Sequence, residues 1–199
     1  LAQAGYRVVA PDMRGMGQTG APTAIDAYGV DAITADLIGL LDHLGERRAI
    51  FVGLDFGAFA IYDLAMRAPE RVIAVIGLEN PAAPHNPEVP PLTEYAEIAK
   101  RSFLHIEYFR EPGPADRALN AAPREFLNKV FYALSGDYDM TQVFRHPPGT
   151  TYLDALPEPP PLPWSWLSDL EMEYFVSEYS RTGFTGGLNY YRAMDIKWA

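Results

Sequence analysis

Three short runs of consecutive apolar residues mark the first eighty positions of the chain. They cover residues 7–12, 49–54 and 72–78. Apolar and polar residues do not alternate within them, and continuous runs of this length are typical of strands that are buried on both faces of a parallel sheet. We therefore expect three neighbouring parallel strands.

Helical patterns separate these runs. Between the first two, apolar residues recur at helical spacing behind Asp31, a candidate N-cap, and Gly45 stands where a helix would stop. Between the second and the third, residues 58–67 predict a helix that ends before Pro69. Strands that alternate with helices over short connections are the signature of right-handed βαβ units, so the predicted fold class is α/β.

The chain changes character after the third run. Five prolines between residues 81 and 91 indicate a linker, and no further buried strand pattern follows it. Helical patterns with aromatic faces follow instead, at about residues 92–110, 123–135, 168–182 and 187–198. The proline-rich stretch 157–163 is interpreted as a loop inside this helical part. We expect residues 1–81 to form part of an α/β core and residues 82–199 to form a helical cap domain.

Composition and charge narrow the classes of partner. With 199 residues, 48% of them hydrophobic, the chain is long enough to bury a sizeable core. Its 16 basic and 26 acidic residues give a net charge of -10, which opposes binding to nucleic acid or to anionic membrane surfaces. No apolar run approaches the roughly 18 residues of a membrane span. The absence of cysteine excludes disulfides and thiolate chemistry and fits a reducing compartment, so we expect a soluble, cytoplasmic protein.

A glycine-rich segment, Gly15-Met16-Gly17-Gln18-Thr19-Gly20, follows the first run and matches the dinucleotide fingerprint G-x-G-x-x-G. That fingerprint has to open a helix whose N-terminus faces the pyrophosphate. Here Pro22 and further turn residues intervene, and the predicted helix starts near residue 31. We interpret the segment as a loop at the sheet edge and expect no nucleotide cofactor.

The segment Gly53-Leu54-Asp55-Phe56-Gly57-Ala58 stands directly after the second run and directly before a helix. This is the context of a nucleophile elbow, in which small residues allow a sharp turn that exposes the central side chain above the sheet. Asp55 occupies the place where serine is more familiar. A second interpretation is that Asp55 only caps the following helix. The motif alone leaves both interpretations open.

Four segments, in this order along the chain, resemble the α/β-hydrolase-fold epoxide hydrolases. They are residues 5–15 (GYRVVAPDMRG), 53–58 (GLDFGA), 108–113 (YFREPG) and 183–192 (GFTGGLNYYR). The resemblance implies a nucleophile at Asp55, ring-opening tyrosines at Tyr108 and Tyr191, and an oxyanion donor in the backbone N–H of Phe56. Two positions depart from the family pattern, because Leu54 and Phe56 stand where His and Trp are frequent, and we expect both to reshape the pocket.

These residue types suit the chemistry that the resemblance implies. A carboxylate opens a strained epoxide and forms an ester, which divides the hydrolysis into two easier steps. Phenols, with a pKa of about 10, are protonated at neutral pH and can donate to the departing oxygen. The aromatic cap favours a small apolar epoxide as substrate, with water as the second reactant and no cofactor.

The resemblance also implies groups that the chain does not carry. These are a His-Gly-x-Pro loop before residue 1, and an acid and a water-activating histidine after residue 199. None of His43, His85, His105 and His146 stands at the position for that role, and His105 with Glu107 lacks a third partner for a metal. The chain begins without methionine and ends inside a helical pattern, so we expect a fragment of a longer protein.

Two other functions stay open. A dehalogenase shares an aspartate nucleophile on this fold, but usually presents a side-chain N–H donor such as tryptophan beside it, and Phe56 has none. A non-catalytic ligand-binding protein of the same fold would use Asp55 only structurally, since a fold does not determine a function. An aspartate and a histidine farther along the whole sequence would favour catalysis over binding.

Overall fold

The structure contains an α/β part followed by a helical part. The computed structural model of the protein describes residues 1–82, 86 and 88–198. Within these residues, two parallel strands and two α-helices come first, and eight α-helices follow. The predicted α/β class with a helical cap is therefore confirmed. The boundaries predicted for the two parts, 1–81 and 82–199, stay predictions.

The sheet is a parallel pair of strands, β1 (Ala49–Leu54) and β2 (Val72–Leu78). The apolar runs at 49–54 and 72–78 predicted both strands with these bounds. They end in register, with Leu54 opposite Leu78, so their carboxyl ends lie side by side. In parallel α/β sheets, this edge is where functional side chains gather.

The expected third strand is absent from the described residues. Residues 7–12 are exposed along their whole length, and their backbone pairs with no described strand. The prediction of three neighbouring strands is wrong at this segment because a strand requires a neighbour that accepts its hydrogen bonds, which an apolar run does not supply by itself.

The burial predicted for the strands is correct on one face only. Phe51 of β1 points toward the helices and packs in a buried cluster with them. Ile50, Val52 and Leu54 alternate to the opposite face and are 48%, 53% and 58% exposed, because no described element covers that face.

The first helix, α1 (Val30–His43), lies where the apolar spacing predicts it. Asp31 is not its N-cap, which is Gly29; Asp31 lies in the first turn, where the helix dipole favours an acidic side chain. Gly45 adopts a φ of +69°, and its N–H bonds to the carbonyl oxygen of Asp42 at 3.1 Å. This left-handed glycine ends the helix, as predicted.

The second helix, α2 (Phe56–Arg67), connects β1 to β2 and completes a βαβ unit. It begins two residues earlier than the pattern predicts, because Asp55 is its N-cap. It ends before Pro69, which starts a single 3-10 turn leading into β2. Ala58 and Leu64 face the sheet and are fully buried.

In the described part of the chain, eight α-helices follow the proline-rich linker. They are α3 (Pro91–Ala99), α4 (His105–Arg110), α5 (Pro114–Ala121), α6 (Pro123–Ala133), α7 (Tyr152–Ala155), α8 (Asp169–Thr182), α9 (Thr185–Arg192) and α10 (Met194–Trp198). Short 3-10 segments cover Ala2–Ala4, Ile25–Tyr28, Pro69–Arg71 and Met140–Arg145.

The helices of the cap differ from the predicted ones in the residues at which they begin and end. The pattern over 92–110 forms two helices, α3 and α4, and the pattern over 187–198 forms α9 and α10, which begin earlier and separate at Ala193. Helix α5 was not predicted, although Pro114 at its first position after Gly113 is a start signal. Residues 157–163 form a loop between α7 and α8, as expected.

The glycine loop, residues 15–20, packs against the cap. A Cβ atom built on Gly186 of α9 would lie 2.0 Å from the carbonyl oxygen of Gly15, so the two backbones touch. The next α-helix after the loop is α1, which begins ten residues later and not at the loop itself. This arrangement agrees with the interpretation as a packed loop rather than a dinucleotide site.

Two clusters of buried side chains form the core. The larger lies in the cap and includes the fully buried Leu119, Leu127 and Met172. The smaller joins α1 and α2 to the cap through Leu37, Leu64 and Tyr190. Helix α9 contributes Leu188 to the first cluster and Tyr190 to the second, so it ties the cap to the sheet.

Candidate active site

The turn between β1 and α2 has the geometry of the predicted elbow. Asp55 adopts φ 54° and ψ -123°, a region that L-residues rarely occupy. Backbone strain of this kind persists only where the surroundings impose it. A Cβ atom on Gly53 would lie 2.2 Å from the carbonyl oxygen of Gly57, so glycine is required at the base of the turn. The Asp55 side chain consequently projects from the carboxyl edge of the sheet and is exposed.

The carboxylate of Asp55 is held through one oxygen. The N–H of Phe56 donates to Oδ1 at 2.5 Å, which makes Asp55 the N-cap of α2. No described residue donates to Oδ2. The cap interpretation is therefore confirmed for one oxygen of Asp55, and its role as a nucleophile stays a prediction.

Tyr191 of the cap packs against Phe56, the residue that follows Asp55. Its ring lies 4.7 Å from the ring of Phe56, at an interplanar angle of 88°. Burial raises the pKa of Tyr191, and the negative charges of Asp55 and of Glu79, at the end of β2, raise it further. The phenol is therefore protonated at neutral pH and lies within the electrostatic field of Asp55.

Tyr108 lies in a different environment on α4. Its ring packs on Phe103, with centroids 6.4 Å apart, and on Phe109, 5.8 Å away. Burial raises the pKa of Tyr108, and the charge that raises it further is that of Asp154 rather than Asp55. The described contacts thus connect Asp55, Phe56 and Tyr191, whereas the catalytic role of Tyr108 stays a prediction.

Three residues that the sequence analysis did not assign to the site pack with Tyr191. With Tyr191 they form what we term the cap-ring cluster: His105, Phe109, Tyr152 and Tyr191. The rings of His105 and Tyr152 stack at 5.7 Å and 20°, and His105 meets Tyr191 at 5.5 Å and 90°. Burial lowers the pKa of His105 to about 4, so its imidazole is neutral at pH 7. Its Nδ1 is buried without a partner among the described residues.

One signal in the sequence pointed to His105. It precedes Tyr108 by three residues, so both lie on one side of a helix that carries a site motif. Tyr152 has no such signal, because it stands in no motif and α7 is only four residues long.

A buried ion pair fixes the end of α9 next to Tyr191. Arg192 Nη2 lies 2.5 Å from Asp116 Oδ2, and the two side chains are 2% and 13% exposed. The same guanidinium donates from Nε to the carbonyl oxygen of Phe109 at 2.9 Å and from Nη1 to Asn189 Oδ1 at 3.0 Å. Burial by itself would raise the pKa of Asp116, but hydrogen bonds from Arg192, Thr185 and a backbone N–H lower it to about 2.

Comparison with known proteins is consistent with this architecture. A family model described as the alpha/beta hydrolase fold matches residues 1–111. The chain belongs to this α/β-hydrolase-fold family. Epoxide hydrolase A of Mycobacterium tuberculosis is 42% identical over 200 residues, and epoxide hydrolase 1 of Siraitia grosvenorii is 35% identical over 198 residues. Each alignment includes 100% of this α/β-hydrolase-fold chain, and 62% and 60% of the relative.

Solved structures of epoxide hydrolases are also similar to this chain. The crystal structure of epoxide hydrolase A from Mycobacterium thermoresistibile superposes with a TM-score of 0.86 at 42% identity, over 94% of this chain and 59% of that one. An epoxide hydrolase from an endophytic Streptomyces has a TM-score of 0.86 at 33% identity, over 94% and 56%. The resemblance to epoxide hydrolases is thus confirmed. The chain spans about 60% of the length of these two curated relatives.

The described histidines lie in separate parts of the chain. His43 is exposed in the last turn of α1, and His146 follows a 3-10 segment and accepts the N–H of Phe103 at 2.7 Å through its carbonyl oxygen. His85 lies outside the described residues. Among those described, no three acidic or histidine side chains are grouped to hold a metal. None of the described helices is long and apolar enough to span a membrane.

Proposed function

We propose that the whole protein hydrolyses an epoxide to a vicinal diol through a covalent ester on Asp55. The observation that carries this proposal is the pairing of the strained Asp55 elbow with the phenol of Tyr191, on which the charge of Asp55 acts. The relatives reported above are named epoxide hydrolases, which supports the same reaction.

The free oxygen of Asp55 carries out the first step. Oδ2 attacks one carbon of the epoxide, the bond from that carbon to the ring oxygen breaks, and the departing oxygen takes a proton from a phenol. The product is an ester of Asp55 with the alcohol. Its carbonyl oxygen is Oδ1, which already accepts the N–H of Phe56.

The second step returns the carboxylate. Water attacks the ester carbon, and negative charge develops on Oδ1, where the N–H of Phe56 stabilises it. The bond to the alcohol oxygen then breaks and the diol leaves. The base that takes the proton of water is not assigned among the described residues.

The proton donors of the first step are tyrosines of the cap. Tyr191 is supported by its position against Phe56 and by a pKa that burial and Asp55 raise, since both keep the proton on the phenol until the epoxide oxygen gains charge. For Tyr108, only the motif Tyr108-Phe109-Arg110-Glu111-Pro112-Gly113 supports this role, because the charge that acts on its phenol is that of Asp154.

The surroundings of Asp55 favour a small apolar epoxide. The rings of Phe56 and Tyr191, and those of the cap-ring cluster behind them, offer aromatic surface to a substrate. We further propose that the protein acts in the cytoplasm, on the basis of its cysteine-free sequence.

Substitution of the carboxylate tests the proposed function. The Asp55→Asn variant of the whole protein should release diol from styrene oxide at least about 10³-fold more slowly than wild type, because the amide is nearly isosteric but a poor nucleophile. Intact-mass analysis should find an ester adduct on wild-type Asp55 and none on the variant. Asp137→Asn, an exposed aspartate in the turn after α6, is the matched control and should keep wild-type turnover. Normal diol release by Asp55→Asn would exclude the proposed nucleophile.

A further inference from the structure

Tyr152 has the features of a site residue although no motif marks it. It is the first residue of α7, and only 5% of its surface is exposed. Its hydroxyl makes no hydrogen bond with any described residue. The ring is buried, whereas the hydroxyl oxygen is not one of the buried unpartnered atoms of the described residues and so is left accessible.

The hydroxyl of Tyr152 shares its electrostatic environment with Tyr191. Besides burial, the charge that raises the pKa of Tyr152 is that of Asp55, and the same charge acts on Tyr191. The phenol of Tyr152 also contributes to the raised pKa of Tyr191, after burial and Asp55. Tyr108 is subject to Asp154 instead.

Direct contacts link Tyr152 to the elbow. Its ring stacks on His105, His105 meets Tyr191 edge-on, and Tyr191 meets Phe56. The backbone N–H of Phe56 in turn holds the Asp55 carboxylate. Every link of this series is a ring pair within 5.7 Å or a hydrogen bond.

The ring of Tyr152 is also fixed in place. It packs on Phe103, Phe109 and Phe126, with centroids 5.6, 5.3 and 5.6 Å apart. A phenol held in this way presents its hydroxyl in one direction and loses little conformational freedom when a substrate binds. Preorganised donors of this kind are the ones that stabilise developing charge.

We propose that Tyr152 is a further proton donor to the epoxide oxygen, paired with Tyr191 across the site from Asp55. The inference rests on the proposed function. As the Asp55 oxygen bonds to carbon and the ring C–O bond breaks, the electron pair of that bond goes to the ring oxygen. One of the two phenols transfers its proton there while the other donates a hydrogen bond. Water returns the proton to the phenolate afterwards.

The test measures the first step alone, in the whole protein. The rate constant of Asp55 ester formation from styrene oxide is followed by rapid quench and intact mass under single-turnover conditions. Tyr152→Phe should slow ester formation by about 10-fold to 10²-fold, the range expected for loss of one of two general acids. Tyr191→Phe should slow it by a similar factor.

Tyr179→Phe is the matched control. Tyr179 is also a tyrosine of the cap core, stacked on Phe184 at 4.7 Å, and burial raises its pKa, but Asp55 does not act on it. Its loss should change ester formation less than twofold. Ester formation by Tyr152→Phe within twofold of wild type would overturn the inference and leave the proposed function standing. A wild-type protein that forms no Asp55 ester would overturn both.

A second variant keeps the ring and the hydroxyl, so it tests the role independently of folding. Replacement of Tyr152 by 3,5-difluorotyrosine lowers the intrinsic pKa of the phenol, and the alkaline decline of the ester-formation rate should move to lower pH. The described titratable groups that act on Tyr152 or contact its ring are Asp55, Tyr191 and His105, and His105 is neutral above about pH 4. The same replacement at Tyr179 should leave the pH profile of ester formation unchanged. An unchanged profile with the replacement at Tyr152 would show that Tyr152 has a purely structural role.

Discussion

The elbow and the cap-ring cluster hold their functional groups in opposite ways. At the elbow, Asp55 is exposed, and its direction depends on a strained φ and on the missing side chain of Gly53. In the cap-ring cluster, the phenols are held by neighbouring rings, and the ion pair of Arg192 with Asp116 fixes the helix that carries one of them. The first region depends on space for the backbone, and the second depends on packing and charge.

This difference matches what each region supplies. A carboxylate with one free oxygen has to reach the substrate, and a strained turn at the sheet edge projects it outward. In the proposed reaction a proton donor has to keep its proton until the epoxide oxygen gains charge, and burial raises the pKa of both Tyr152 and Tyr191. The two regions should therefore fail under different perturbations.

The largest effect should come from breaking the ion pair behind the cluster. Asp116→Asn leaves the guanidinium of Arg192 buried without a counter-charge, which should lower the free energy of unfolding by about 3 kcal/mol at pH 7. Urea titration of the whole protein measures it. Glu97→Gln, in the exposed pair with Lys100, is the matched control and should cost less than about 1 kcal/mol.

Wild type and Asp116→Asn should also differ in how their free energy of unfolding depends on pH. The pKa of Asp116 is lowered in the folded state to about 2, so its contribution to stability is complete above the unfolded value near 4 and is lost as the pH falls through about 2. Between pH 5 and pH 2, wild type should lose about 2 kcal/mol more than Asp116→Asn. Equal losses in the two proteins would contradict a charged Asp116 in the fold.

The parts of the fold that could be predicted depend on local signals. Apolar spacing and the stop at Gly45 predicted α1, and a continuous apolar run before a glycine turn predicted β1. Residues 7–12 carry a similar run but form no strand, because pairing depends on a partner elsewhere in the molecule. The break between α3 and α4 has a similar explanation: helical spacing continues across residues 100–104, but Phe103 there packs in the cap core and donates its N–H to the carbonyl oxygen of His146 at 2.7 Å.

The residues of the candidate site could likewise be predicted only where they belong to a local motif. Asp55 could be predicted because an elbow is a local motif of strand, small residues and helix. Tyr152 could not be predicted, because its relation to Asp55 arises from packing between α4, α7 and α9. These helices are far apart in the sequence, since 86 positions separate His105 from Tyr191. Tyr191 was found by resemblance alone.

The elbow should fail when its space is filled. In Gly53→Ala, the added Cβ meets the backbone of Gly57 at 2.2 Å, and backbone has little freedom to give way, so we expect a loss of about 2 kcal/mol in the free energy of unfolding. Ester formation on Asp55 should also slow, because the turn that directs its carboxylate has to shift. Gly57→Ala is the control: a Cβ there meets no atom of the described residues within 4 Å, and stability should not fall. Equal effects of the two substitutions would show that close approach at Gly53 does not determine the turn.

The smallest effect should come from Tyr108, where resemblance and structure differ. Its motif implies a proton donor, whereas the charge that acts on its phenol is that of Asp154, and its ring contacts Phe103 and Phe109 rather than Tyr191 or Phe56. Tyr108→Phe should therefore slow ester formation from styrene oxide less than threefold, well below the effect of Tyr152→Phe. The same single-turnover measurement decides it, since a proton donor lost from the first step would cost about tenfold or more. A loss of that size with Tyr108→Phe, beside a normal rate with Tyr152→Phe, would restore the assignment from the motif and remove Tyr152 from the reaction.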